Sequence, residues 1–257
     1  FIFEDLLKIK NLSYILKESY KIMKNYDHNF ENLEFTETQS YRRNSLDLNC
    51  IRHHEVFNNS NIIAKFCFNC FKIQIEPSNV IDLIKLFFVF DRLELSKNNQ
   101  RKCMVELREE VSGLYKGIIY CSNVEEAKNI LEDITPLLNL NLKYKVSIKR
   151  GCSEFYKSFS NFNIVDKKDI NFMNYPKKWE KIEQKIKIKK NYNTIKMNNT
   201  VSGMSISDFL VINQWLNYAK EIGDQSYKQI GFETFNSQYI SEKMINQIEF
   251  RKKEFMY

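Results

Sequence analysis

Apolar residues recur three and four apart near the start of the chain. Leu6, Ile9, Leu12, Leu16, Tyr20 and Met23 line one stripe and predict a helix. From about Asn25 to Asn49 the pattern loses any period, and a loop is expected. Strict alternation follows in "FKIQIE", with Phe71, Ile73 and Ile75 on one side and Lys72, Gln74 and Glu76 on the other. That is the pattern of a half-buried strand.

Pro77 and Ser78 end this strand, and "NVIDLIKLFFVFDRL" reads as a helix. Asn79 serves as its N-cap, with Asp82 three residues on. "RKCMVELR" alternates again, placing Cys103, Val105 and Leu107 inward and Glu106 in solvent. After a short turn at Gly113, "LYKGIIYC" is a third strand. Ser122 with Glu125 opens a second helix, which turns Val124, Ala127, Leu131 and Ile134 inward and ends at Pro136. In "KYKVSIKR", Tyr144, Val146 and Ile148 face the core, whereas Lys143, Lys145, Ser147 and Lys149 face out.

The order strand, helix, strand, strand, helix, strand predicts an α+β chain with a ferredoxin-like βαββαβ domain. One face of its antiparallel sheet packs on the two helices, and the other is polar. Helices flank it on both sides. In the C-terminal part, Phe209, Ile212, Trp215, Leu216, Ala219 and Ile222 form a stripe that Gly223 stops. "SEKMINQIEFRKKEF" reads as one more helix. The expected divisions are an N-terminal helix and loop over 1–49, a zinc knuckle plus the ferredoxin-like domain over 50–151, and a basic segment with C-terminal helices over 152–257.

Composition fits this picture. A chain of 257 residues, 43% hydrophobic and 14% aromatic, can bury a real core. With 6 Gly and 3 Pro it is poor in the tight turns of a β-sandwich. No apolar run approaches the roughly 18 residues of a transmembrane helix. Six cysteines are too sparse for a disulfide scaffold, so reduced thiols and an intracellular, cytoplasmic setting are expected. The sequence starts at Phe1 rather than Met, and no signal peptide is seen in it.

Charge adds more. The net is +7, yet residues 143–200 hold 15 Lys and Arg against 5 Asp and Glu. Such asymmetry points to a polyanion, with nucleic acid first. The expected contacts are Lys145, Lys149, Arg150, Lys177, Lys178, Lys185, Lys187, Lys189 and Lys190. The plainer alternative is a solvated face in a chain rich in Lys and Asn.

One stretch, "CIRHHEVFNNSNIIAKFCFNC", carries metal-ligand spacing. Cys50-x-x-His53 and Cys67-x-x-Cys70 would close a tetrahedron around a structural zinc with no open position. His54 rivals His53 as the fourth ligand. The alternatives are buried thiols or a redox pair at Cys67 and Cys70. His53, His54 and Asn61 followed by Cys-x-x-Cys faintly resemble HNH nucleases, which implies a water-activating histidine. The spacing from His54 to Asn61 is too short for that family's hairpin. "YKGIIYC" loosely resembles the RNA-recognition motif, which implies base stacking on the sheet. Here only Tyr120, or Tyr115 in the opposite phase, could stack, with Lys72, Lys116, Lys145 and Lys149 near phosphates. "RGCSEF" places Cys152 and Glu154 just past a strand end, where site residues often lie.

These observations predict a non-catalytic, zinc-containing protein that binds nucleic acid through a basic surface. The alternative is a structural or assembly subunit of a larger protein complex. A third reading is an enzyme with its site near Cys152 or His53 and His54.

Overall fold

A computed structural model describes residues 3–26, 34–42, 50–186 and 203–256. Its centre is a five-stranded antiparallel sheet of mixed α+β character. The strands are β1 (Gln39–Arg42), β2 (Phe71–Pro77), β3 (Arg101–Val105), β4 (Tyr115–Cys121) and β5 (Tyr144–Arg150). They lie in the order β1-β3-β4-β2-β5. The helices are α1 (Phe3–Leu6), α2 (Ile9–Tyr26), α3 (Cys50–Ser60), α4 (Val80–Arg92), α5 (Val124–Asn141), α6 (Lys177–Lys185), α7 (Ile206–Ile222), α8 (Gln238–Met244) and α9 (Ile248–Met256).

Register fixes which residues share a face. Ile73 lies between Ile119 and Ile148, and Ile75 between Gly117 and Val146. Together with Cys103 and Val105 they form the apolar face that packs on α4 and α5. Asn79 caps α4 by accepting from the Asp82 amide at 2.9 Å, as its sequence predicts. Removing such a cap typically costs about 1 kcal/mol. For α5 the cap is Asn123, one residue later than expected, and the Ser122 hydroxyl donates to Glu126 instead. The helix also runs past Pro136 to Asn141, because Leu138 is fully buried and holds the last turn to the core.

Helix α7 is buried almost all round, which identifies it as a core element rather than a cover. It packs on α4, β1 and β3, and Gly223 ends it in the left-handed conformation with φ 85°. The expected final helix is broken at 245–247 into α8 and α9. No described helix is long and apolar enough to cross a membrane.

Two expectations need correction at the sheet edges. The stretch 25–49 contains β1, which pairs with β3 in the register Ser40 to Cys103. Ile148 is only half-buried and Val146 is 38% exposed, because β5 ends the described sheet. In the sheet centre, Gly117 faces α4. A Cβ there would run into Leu86 and reach 3.1 Å from Phe90 Cζ. Gly117→Ala is therefore expected to cost about 1–3 kcal/mol by overpacking, read as a lower denaturant midpoint.

Candidate functional site

The second sheet face carries the chemistry. Alternation and register place Gln39 and Tyr41 of β1, Lys102 and Met104 of β3, and Lys116, Ile118 and Tyr120 of β4 on it. Lys72, Gln74 and Glu76 of β2 and Lys145, Ser147 and Lys149 of β5 complete it. Five lysines and two tyrosines thus share one surface. Tyr120 has the outward phase, whereas Tyr115 is buried on the helical side and donates to Asp224 at 2.7 Å.

The centre of this face is not a solvated plane. Lys72 and Lys116 are buried, and Lys145 is exposed at the edge. Glu106, expected in solvent, is fully buried and accepts from Lys116 Nζ at 2.8 Å. It also accepts from Arg108 Nε and Nη2, both at 2.8 Å. Burial alone would raise its pKa, but Arg108 and Lys116 outweigh it and hold the carboxyl at about 2. Among the described residues, Lys72 and Lys102 have no carboxylate within ion-pair distance. Burial first, and then the charge of Lys72, brings the Lys102 ammonium down to about 8. Its one described hydrogen bond goes to Gln39 Oε1, at 2.6 Å.

Helix α3 and the turn after β5 meet beside this face. His53 Nε2 lies 3.1 Å from Glu154 Oε1, and His54 Nδ1 lies 3.8 Å from the same oxygen. The other Glu154 oxygen is 3.4 Å from Arg108 Nη1, so the carboxylate is tied to the Glu106 network. His53 is buried, hydrogen-bonds with Cys50 one turn back, and sets its ring edge against Phe155. Burial opposes the imidazolium of His53, yet Cys50 and Glu154 prevail and raise it to about 9. His54, more open, is lowered by desolvation and by the neighbouring His53.

The residues expected as zinc ligands are distributed unevenly around this point. Cys50 and His53 sit on α3, Cys67 lies within a short 3-10 turn (Lys65–Asn69), and Cys70 follows that turn into β2. Cys67 is packed in a second apolar cluster with Val56, Phe68, Phe155, Phe162 and Trp179. Among the described residues, one set of three or more His, Cys or acidic donors lies within 4.8 Å of one another: His53, His54 and Glu154. Burial raises the thiols of Cys67, Cys70, Cys103, Cys121 and Cys152. They therefore stay protonated near neutral pH and are poor nucleophiles. Cys50 and Cys152 still lie near enough to Lys102, Tyr41 and Tyr120 to bias their ionisation.

Of the expected basic contacts, Lys145, Lys177, Lys178 and Lys185 are exposed and Lys149 is half-buried. Lys187, Lys189 and Lys190 lie outside the described residues. Arg150 is a correction. It is buried among aromatic rings, 4.1 Å from the Phe172 centroid and 4.8 Å from that of Phe162, and donates to the Met173 carbonyl at 2.9 Å. A guanidinium so enclosed is structural. Lys102, Tyr41 and Glu154 are site residues that the expected contacts and ligands did not include. No family model, curated protein or solved structure matches the chain.

Proposed function

We propose that the protein binds single-stranded nucleic acid through the polar face of a ferredoxin-like sheet. The strand order β5-β2-β4-β3, with α4 and α5 on one side, has the connectivity of that fold. The observation that carries the reading is the pair Lys72 and Lys102. Lys102 of β3 and Lys72 of β2 lie on either side of Tyr120 of β4, with Tyr41 of β1 beyond Lys102. Neither has a described carboxylate partner, and the charge of Lys72 disfavours the Lys102 ammonium. A phosphate would relieve that repulsion, and the rings offer stacking surfaces for bases. Lys145 and Lys149 continue the basic track across β5, and Lys177, Lys178 and Lys185 present a second basic surface on α6.

Fluorescence anisotropy with a labelled single-stranded oligonucleotide tests this. Each phosphate contact contributes about 0.7 to the slope of log affinity against log salt, so Lys102→Gln/Lys145→Gln/Lys149→Gln should flatten it by about 2. Affinity should also fall as pH rises through about 8, where Lys102 loses its proton. Lys102→Arg should remove that dependence, since a guanidinium stays charged. An unchanged slope in the triple variant would refute the proposal.

A further inference from the structure

We propose that His53, His54 and Glu154 bind a divalent first-row transition metal, with its remaining coordination positions open to solvent. The argument is geometric. Bonds of 2.0–2.1 Å around a tetrahedral ion put neighbouring donors about 3.4 Å apart. The two histidine-to-carboxylate separations here are 3.1 and 3.8 Å, and all three donors lie within 4.8 Å of one another. The two carboxylate separations bracket that value, and the two imidazole donors, within 4.8 Å of one another, would close around an ion between them. Neighbours on a helix usually point apart, yet the His53 and His54 rings have centroids 4.0 Å apart and both address one oxygen.

The surroundings suit a metal as well. Ligands are usually oriented by a second layer of hydrogen bonds. Arg108, itself held by Glu106, fixes Glu154, while Cys50 and the Phe155 ring fix His53. The far side is closed by Phe155 and Phe57. The near side is open, with the His54 side chain 56% exposed and that of Glu154 24% exposed. Two imidazoles and one carboxylate select zinc or ferrous iron rather than magnesium or calcium. This set shares only His53 with the ligands expected from spacing, and it is independent of nucleic-acid binding.

The full chain, stripped with a chelator, is titrated with Zn²⁺ and, under anaerobic conditions, with Fe²⁺; the tighter ion identifies the metal. One equivalent should bind, and His54→Ala and Glu154→Gln should each weaken binding by at least roughly 100-fold, more than loss of an outer-layer partner. Cys67→Ser should bind as the parent does. Substitution with Co²⁺ should give a spectrum without intense thiolate-to-metal charge transfer. Circular dichroism checks that each variant is folded, and the exposed His54 is the substitution least able to perturb the fold. Failure to bind either ion overturns the proposal. So does retention of the ion in both His54→Ala and Glu154→Gln with its loss in Cys67→Ser, which would return the site to Cys50, His53, Cys67 and Cys70.

Discussion

Glu106→Gln is expected to lower folding stability by about 3–5 kcal/mol, measured by denaturant unfolding. The carboxylate is fully buried and neutralises Lys116, whose own pKa is held down because burial outweighs this attraction. The amide keeps the shape but leaves the buried ammonium without a counter-charge. Lys116→Met in the same chain should recover much of the loss, because it removes the buried ammonium that Glu106→Gln leaves without a counter-charge. Acid sensitivity follows from the same pair. The folded-state pKa of Glu106 lies at about 2, below its ordinary 4.5. Its stabilising contribution is therefore complete above about 4.5 and lost as pH falls toward 2. The parent should lose stability through that window more steeply than Glu106→Gln. A variant within about 1 kcal/mol of the parent would show that Glu106 is not the anchor of this face.

Arg42→Leu is expected to cost a similar amount, about 3–5 kcal/mol, for a different reason. Arg42 is buried on the helical side of β1, 2.9 Å from Asp208 of α7 and 3.7 Å from Asp91 of α4, with its guanidinium over the Phe87 ring at 3.9 Å. Leucine would leave two acidic groups in the core without this cation. Hydrogen exchange should then show α7 and β1 opening together, ahead of α5, which packs on β2, β4 and β5. Equal protection of α7 in parent and variant would contradict the assignment.

Arg42 also explains what the sequence concealed. β1 has its inward positions filled by Ser40 and Arg42, so hydrophobic alternation has nothing to detect. Glu106 misleads in the same way, because a carboxylate at an outward strand position reads as solvated until Lys116 and Arg108 are seen beside it. By contrast, β2, β4, α4 and α7 were legible, since each turns a stripe of apolar residues to the shared core at the period of the element. The candidate site was legible only in pieces. His53, His54 and the turn at Cys152 each stood out, but His53 and Glu154 are 101 residues apart, and no local pattern joins them. Helix α3 left no apolar stripe to read, because only Cys50, Ile51, Val56 and Phe57 of Cys50–Ser60 are apolar.

The bond between Ser40 and Asp208 spans 168 residues, and Arg42 reaches the same carboxylate. Helix α2 is likewise tied by Ser13 to the carbonyl of Ile230. A ribosome adding about 5–20 residues per second leaves β1 without this anchor for on the order of ten to thirty seconds after it emerges. Until the end of that interval β1 can be held only by its pairing with β3, and the N-terminal helix lacks its docking turn. Holding the nascent chain soluble then falls to the strands in between, β2 to β5, which can pair with one another before α7 exists.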